Sequence, residues 1–139
     1  MTEAKYRQYI ADFNAACAGS GKFDTFFDTY YHPDAVFEYI PAARKNQGRA
    51  STLKFWEGVH EIMTEEIQPH ISLLITDNQV ATEAPIDFRC KKDLDWVGVK
   101  HPAGSSFRLR MVAFYDLDED DKITYVRVYS IYHEAYQVG

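Results

Sequence analysis

The run Phe107-Arg108-Leu109-Arg110-Met111-Val112-Ala113-Phe114-Tyr115-Asp116 is followed, after an acidic stretch, by Lys122-Ile123-Thr124-Tyr125-Val126-Arg127-Val128-Tyr129-Ser130-Ile131-Tyr132-His133. Both runs are rich in β-branched and aromatic residues, which fit a pleated, half-buried surface. Between them, Leu117-Asp118-Glu119-Asp120-Asp121 is too polar to bury and suits a turn. The pair reads as a long antiparallel hairpin with arms of about ten residues, near the upper end of strand length. A lone hairpin is marginal in water, so the rest of the chain must supply more strands and a helical layer.

Upstream of the hairpin the period is 2. His70 to Ile75 reads as a strand, Thr76-Asp77-Asn78-Gln79 as a turn, and Val80 to Cys90 as a second strand. Lys91 to Gly104 reads as a long polar loop of the kind that often covers a site. Before Pro69 the period is that of helices. Residues 3–18 place Tyr6, Ile10, Phe13 and Cys17 on one face, with Thr2 as cap and Gly19-Ser20-Gly21 as stop. Phe23 to Tyr31 forms a second, shorter helix ended by His32-Pro33. Asp34 to Pro41 is a short strand, 41–48 a polar loop, and Arg49 to about Thr64 a third helix. Its stripe is Leu53, Trp56, His60 and Met63. Helices come first and antiparallel strands last, an α+β layout.

The 139 residues are expected to form one domain with a core of its own. The 10 Tyr and 9 Phe are a large aromatic load, enough to line a pocket that is apolar yet offers hydroxyls; the plainer reading is that most of them fill the core. Net charge is −6 and no block of Lys or Arg stands out, which argues against nucleic acid. No apolar run reaches membrane-spanning length, and residues 1–5 lack a signal-peptide pattern. Cys17 and Cys90 sit in no metal or redox spacing and read as buried thiols, which points to the cytoplasm. Asp116, Asp118 and Asp120 alternate as in a calcium loop, but Asp121 stands where that loop needs glycine and Arg127 where it needs glutamate. The histidines show no metal spacing, and no phosphate loop or nucleophile elbow is present. No cofactor and no metal are expected.

Three short segments carry a resemblance: Tyr31-His32-Pro33-Asp34-Ala35-Val36-Phe37-Glu38, Gly48-Arg49 opening the third helix, and Asp120-Asp121-Lys122-Ile123. With the order of elements, they resemble the nuclear-transport-factor-2-like (NTF2-like, cystatin-like) superfamily, and within it the SnoaL-like and scytalone-dehydratase-like proteins. The resemblance implies a cone, a curved antiparallel sheet wrapped around three N-terminal helices with an apolar pocket inside. It also implies a homodimer through the convex sheet face. It indicates fold better than chemistry, since one fold hosts many activities.

Matching the hairpin to the steroid-isomerase branch turns Met111, Ala113, Tyr115, Val128, Ser130 and Tyr132 into the pocket, with Trp56 and His60 from the third helix. The same matching turns Glu83, Asp87 and Arg89 inward and Thr82, Ala84, Ile86 and Phe88 toward a partner. Periodicity alone favours the opposite parity, and the two readings stand side by side. Inside an apolar cavity those charges would have to pair or shift their pKa values. His70 falls where the dehydratase branch carries a catalytic histidine; the plainer reading is a surface histidine after Pro69. Tyr39 falls where the isomerase branch places its aspartate base, so that base is missing. The resulting expectation is cofactor-independent acid–base catalysis of dehydratase, isomerase or cyclase type by His70, Asp87 and Glu83, with Arg89 and Tyr39 orienting a small, mostly apolar carbonyl compound such as a polyketide, steroid or terpenoid. The alternative is a non-catalytic binding or dimerisation domain. His60 alternatively reads as a core-edge histidine bonded to backbone.

Overall fold

The computed structural model describes residues 1–20, 22–96 and 98–132. Helix α1 (Glu3–Ala15) opens on Thr2, whose hydroxyl accepts from the Lys5 amide and caps the first turn. A wider turn, Ala16–Ser20, follows and contains Gly19 at φ +106°. The helix buries Tyr6 and Tyr9, whereas Ile10 and Phe13 of the expected stripe are only half-buried. Helix α2 (Phe23–Tyr30) buries Phe23, Phe26, Phe27 and Tyr30 and leads directly into β1 (Tyr31–Tyr39). A short edge strand, β2 (Arg44–Gln47), pairs with β1 where the sequence suggests a loop.

Helix α3 (Gly48–Ile62) passes into β3 (Met63–Ile67) with no intervening residue. The sequence extends the helix to Thr64, because Met63 continues the helical stripe and no glycine or proline marks the change. Pairing decides the matter: Met63–Ile67 lies antiparallel to Ile86–Cys90. The remaining strands are β4 (Ser72–Ile75), β5 (Gln79–Cys90), β6 (Leu94–Trp96), β7 (Val99–His101), β8 (Ser106–Leu117) and β9 (Ile123–Tyr132). The polar loop after Cys90 thus contains a small hairpin, β6–β7, which pairs only with itself.

The main sheet runs β2-β1-β9-β8-β5-β3, and β4 pairs with the other half of β5. It is mostly antiparallel; β1 and β9 are parallel. The β8–β9 hairpin lies at its centre and closes on the acidic turn, where Asp118 accepts from the amides of Asp120 and Lys122. Inward-facing residues of the sheet and the helix faces form one continuous core that includes Phe27, Trp56, Leu109, Val80 and Val126. Among the described residues no helix is long and apolar enough to cross a membrane. Cys17 and Cys90 are free and buried.

The register settles the parity of β5. Thr82, Ala84, Ile86 and Phe88 stand opposite Ala113, Met111, Leu109 and Phe107. Directly opposed residues of an antiparallel pair share a face. All eight are buried. Glu83, Asp87 and Arg89 therefore lie on the convex face, and the expected inward turn of these charges is corrected. The expected partner contact of Thr82, Ala84, Ile86 and Phe88 is corrected with it, since these residues are already core. On the convex side Asp87 meets Arg108, with Nη2 to Oδ2 at 2.9 Å, and Glu83 meets Arg110 at 3.4 Å. Arginines of the neighbouring strand thus pair the Asp87 and Glu83 carboxylates on the outer face.

Candidate active site

Inside the curve of the sheet lies a cavity of about 80 Å³. Its walls are aromatic: Phe37, Tyr39, Phe55, Trp56, Phe88 and Trp96 all contribute. Met111, Tyr115, Val128 and Ser130 line it from the central hairpin. Ala113 is fully buried and lies outside the cavity wall. Tyr132 pairs with Leu109 through the backbone; its side chain, like His133, lies outside the described residues. Trp96 reaches the cavity from the β6–β7 hairpin, with its ring 5.7 Å from Tyr39 and 6.4 Å from Phe88. That hairpin covers one side of the cavity.

Two polar groups interrupt this wall. The first is His60 at the end of α3, with Glu65 in β3. His60 Nε2 stands 2.8 Å from Glu65 Oε1, both side chains largely buried at 8% and 13% exposure. The ring is pinned from the other side, because Nδ1 lies 2.6 Å from the Trp56 carbonyl oxygen. A carbonyl only accepts, so Nδ1 carries a hydrogen. Nε2 then faces a carboxyl group with either its own proton or a lone pair. Two lone pairs at 2.8 Å would repel, so one of the two groups carries a proton. Burial works against the imidazolium, but the Glu65 hydrogen bond and charge and the Trp56 carbonyl outweigh it, and the His60 pKa is raised. The contact lies off the ideal line: His60 Nε2, like the Trp56 indole N–H, has no aligned hydrogen-bond partner among the described residues. Cys17 Sγ lies 3.7 Å from Glu65 Oε1, and burial, then the Glu65 charge, push its thiol pKa up. The thiol stays protonated and donates to Glu65; it is no nucleophile.

The second polar group is a hydroxyl pair. Tyr39 Oη and Ser130 Oγ are 2.7 Å apart on the β1–β9 side of the cavity. One hydroxyl donates to the other, so the pair presents polar oxygens on that side of an otherwise aromatic wall.

The sequence names Tyr39, His60, Trp56 and Ser130 for the pocket but not Glu65. Glu65 is hidden by the unmarked helix-to-strand change at Met63: read as helix, Thr64-Glu65-Glu66 is an ordinary polar end. Glu83 and Asp87 stand on the convex face. Asp87 and Arg89 line a broader, open depression of about 640 Å³ at the β3–β5–β8 edge, which shares only Glu65 and Phe88 with the cavity. The smaller space is the candidate site, because there His60 and Glu65 are held in an enclosed apolar setting. His70 is outside the cavity wall and half-buried; its Nε2 lies 2.8 Å from the Tyr6 hydroxyl. The expected meeting of His70 with Asp87 or Glu83 does not occur. Asp87 and Glu83 are held by arginines of β8, and His70 by Tyr6 of α1.

Helices packed inside a curved, mostly antiparallel sheet around an aromatic cavity define an α+β protein of the NTF2-like, ketosteroid-isomerase-like class. Solved structures share this fold. A candidate polyketide cyclase from Xanthomonas campestris pv. campestris superposes with a TM-score of 0.70 at 19% identity, over 96% of this chain and 90% of that one. A candidate SnoaL-like polyketide cyclase from Shewanella denitrificans gives 0.70 at 17% identity, over 94% and 93%. A protein of ketosteroid-isomerase-like fold from Catenulispora acidiphila, in complex with trimethylamine, gives 0.66 at 13%, over 87% and 83%. At these identities the likeness is one of fold. No curated protein sequence matches the chain. The SnoaL-like domain pattern matches residues 6–126, and the chain belongs to the SnoaL-like family.

Proposed function

We propose that this protein is a cofactor-independent acid–base enzyme of dehydratase, isomerase or cyclase type, acting on a small, mostly apolar carbonyl compound. The observation that carries this reading is the His60–Glu65 pair, which holds a proton inside an otherwise aromatic cavity. The Tyr39–Ser130 hydroxyl pair orients the ligand's carbonyl group within the cavity. The Glu65 carboxylate takes a proton from the carbon beside the carbonyl, and the C–H electrons move into the enolate. The His60 imidazolium then returns a proton, to a second carbon in an isomerisation or to a leaving hydroxyl in a dehydration. The cavity volume is well below the few hundred Å³ that hold a drug-sized ligand, which favours a one-ring compound over a polycyclic one. The candidate polyketide cyclases of the same fold support a cyclase- or isomerase-type role at the level of the family.

The test is α-proton exchange of small cyclic and aryl ketones in D2O, followed by NMR. Wild type and Asp87→Asn are expected to speed deuterium uptake, and Glu65→Gln to lose that effect. Equal exchange by wild type and Glu65→Gln would overturn the assignment. The proposed partner is a second copy of the chain, docked through the convex sheet face. Ile131 is 68% and Tyr129 41% exposed there, large apolar groups unusual on a solvated strand.

A further inference from the structure

A sulfur, a nitrogen and an oxygen converge where the turn after α1 meets the end of α3 and β3. One ligand atom from each of Cys17, His60 and Glu65 lies within 4.8 Å of the other two. Cys17 Sγ is 3.7 Å and His60 Nε2 2.8 Å from Glu65 Oε1. His60 has only 8% exposure, and its Nε2 has no aligned hydrogen-bond partner among the described residues. A buried nitrogen in that condition needs a reason. The three side chains are held in place by their surroundings. Asn14 clamps α1 to β3: its Nδ2 donates to the Ile67 carbonyl at 3.0 Å and its Oδ1 accepts from the Ile67 amide at 2.8 Å. The Phe23 ring lies against the imidazole, with centroids 4.7 Å apart. The bond from Nδ1 to the Trp56 carbonyl fixes the tautomer that aims the Nε2 lone pair at Glu65, as in metal-binding histidines.

We propose that Cys17, His60 and Glu65 form a binding site for one thiophilic divalent cation of the Zn2+ class. The mixed donor set suits Zn2+ or Co2+ and not Mg2+ or Ca2+, which prefer oxygen alone. In a tetrahedral zinc site, adjacent sulfur, nitrogen and oxygen ligands stand about 3.3–3.6 Å apart. The Cys17–Glu65 distance is already close to that, and the His60–Glu65 distance has to open by about 0.5 Å. Charge and protons balance. Without metal, the thiol keeps its hydrogen and the His60–Glu65 pair carries one further proton. Binding breaks the S–H bond, removes the pair's proton and forms bonds from sulfur, nitrogen and oxygen to the metal. Two protons leave to water as two positive charges arrive, so the core gains no unpaired charge. Three protein ligands leave one position for water or a ligand from the cavity, whose wall His60 and Glu65 line. Glu65 also borders the open depression at the sheet edge, with Asn14 and Ala18, which gives the ion a route from solvent. A bound cation takes up the nitrogen and oxygen that would move a proton, so metal binding and acid–base turnover exclude each other. That exclusion rests on the acid–base reading; the binding site does not.

The test titrates Co2+ into the purified, metal-stripped protein and follows absorption. Expected are saturation at one ion per chain, the intense visible bands of a four-coordinate ion and a thiolate-to-cobalt charge-transfer band, all removed by Zn2+. Cys17→Ser is expected to lose the charge-transfer band and to weaken binding by about a hundredfold or more, since even outer-shell losses reach that scale. Cys90→Ser removes the other buried thiol and is expected to keep both band and affinity. His60→Gln serves as a second ligand variant, read by the same titration, should Cys17→Ser fail to fold. A weak six-coordinate spectrum without the charge-transfer band, or a band that survives Cys17→Ser, would overturn the site. Saturating Zn2+ is further expected to stop ketone exchange by wild type. Exchange that continues with the ion bound would overturn the exclusion and the acid–base role of His60 and Glu65, and leave the metal site standing. Normal ketone exchange with no Co2+ bound would overturn the metal site alone.

Discussion

Replacing Glu65 by Ala removes the carboxylate from a buried pair and leaves two groups without it. His60 keeps its Nδ1 bond to the Trp56 carbonyl, but Nε2 then faces a void, and the Cys17 S–H loses its acceptor. Breaking one side of a largely buried ion pair costs about 3 kcal/mol or more. The lower end applies here, because the imidazole can shed its proton. For a chain of this size that lowers the melting temperature by about 10 °C. The loss has a pH signature. The His60 pKa is raised in the folded protein, so its contribution is fully present below the unfolded value of about 6.5 and is lost as pH rises through the folded value. The stability gap between wild type and Glu65→Ala is therefore widest near pH 6 and narrows on the alkaline side. Urea denaturation at several pH values measures the gap, and NMR titration of the His60 ring measures its pKa. In the variant that pKa falls, since burial then acts without its carboxylate. A gap under about 1 kcal/mol, the range of exposed pairs, would refute the reasoning. So would a gap that widens with pH, or a His60 ring that titrates as in wild type.

Asp87→Asn leaves ketone exchange unchanged and costs under about 1 kcal/mol by urea denaturation, because its pair with Arg108 is 38% and 44% exposed. On the proposal of a dimer through the convex face, Ile131→Lys is expected to shift the light-scattering mass from dimer to monomer while leaving a cooperative thermal transition in place. Gly48→Ala lowers stability by about 1 kcal/mol: φ at Gly48 is +82°, and a Cβ there meets the Pro33 carbonyl oxygen at an ordinary 3.7 Å. Backbone strain, and no clash, sets that value, so Gly48→Asn costs less than Gly48→Ala.

Much of the fold was legible because local pattern and tertiary demand coincide. The aromatic, β-branched arms on either side of Leu117–Asp121 can be little other than a hairpin, and the stripe of Trp56 and His60 can be little other than a helix face. The resemblance led to the expectation of an apolar cavity inside the sheet, and Tyr39, Trp56, His60 and Ser130 line the cavity described above. What the sequence by itself could not decide was register. A strand repeats every two residues, so sliding β5 by one against β8 exchanges Glu83 and Asp87 for Ala84 and Phe88, and nothing local opposes either choice. Only the eleven paired positions from Gln79↔Asp116 to Arg89↔Ser106 settle it, and they place the carboxylates outside. Glu65 was decided the same way. Its side chain reaches His60 only because Met63–Ile67 gains more from pairing with β5 than from another turn of helix, a choice made by a partner strand about twenty residues away along the chain.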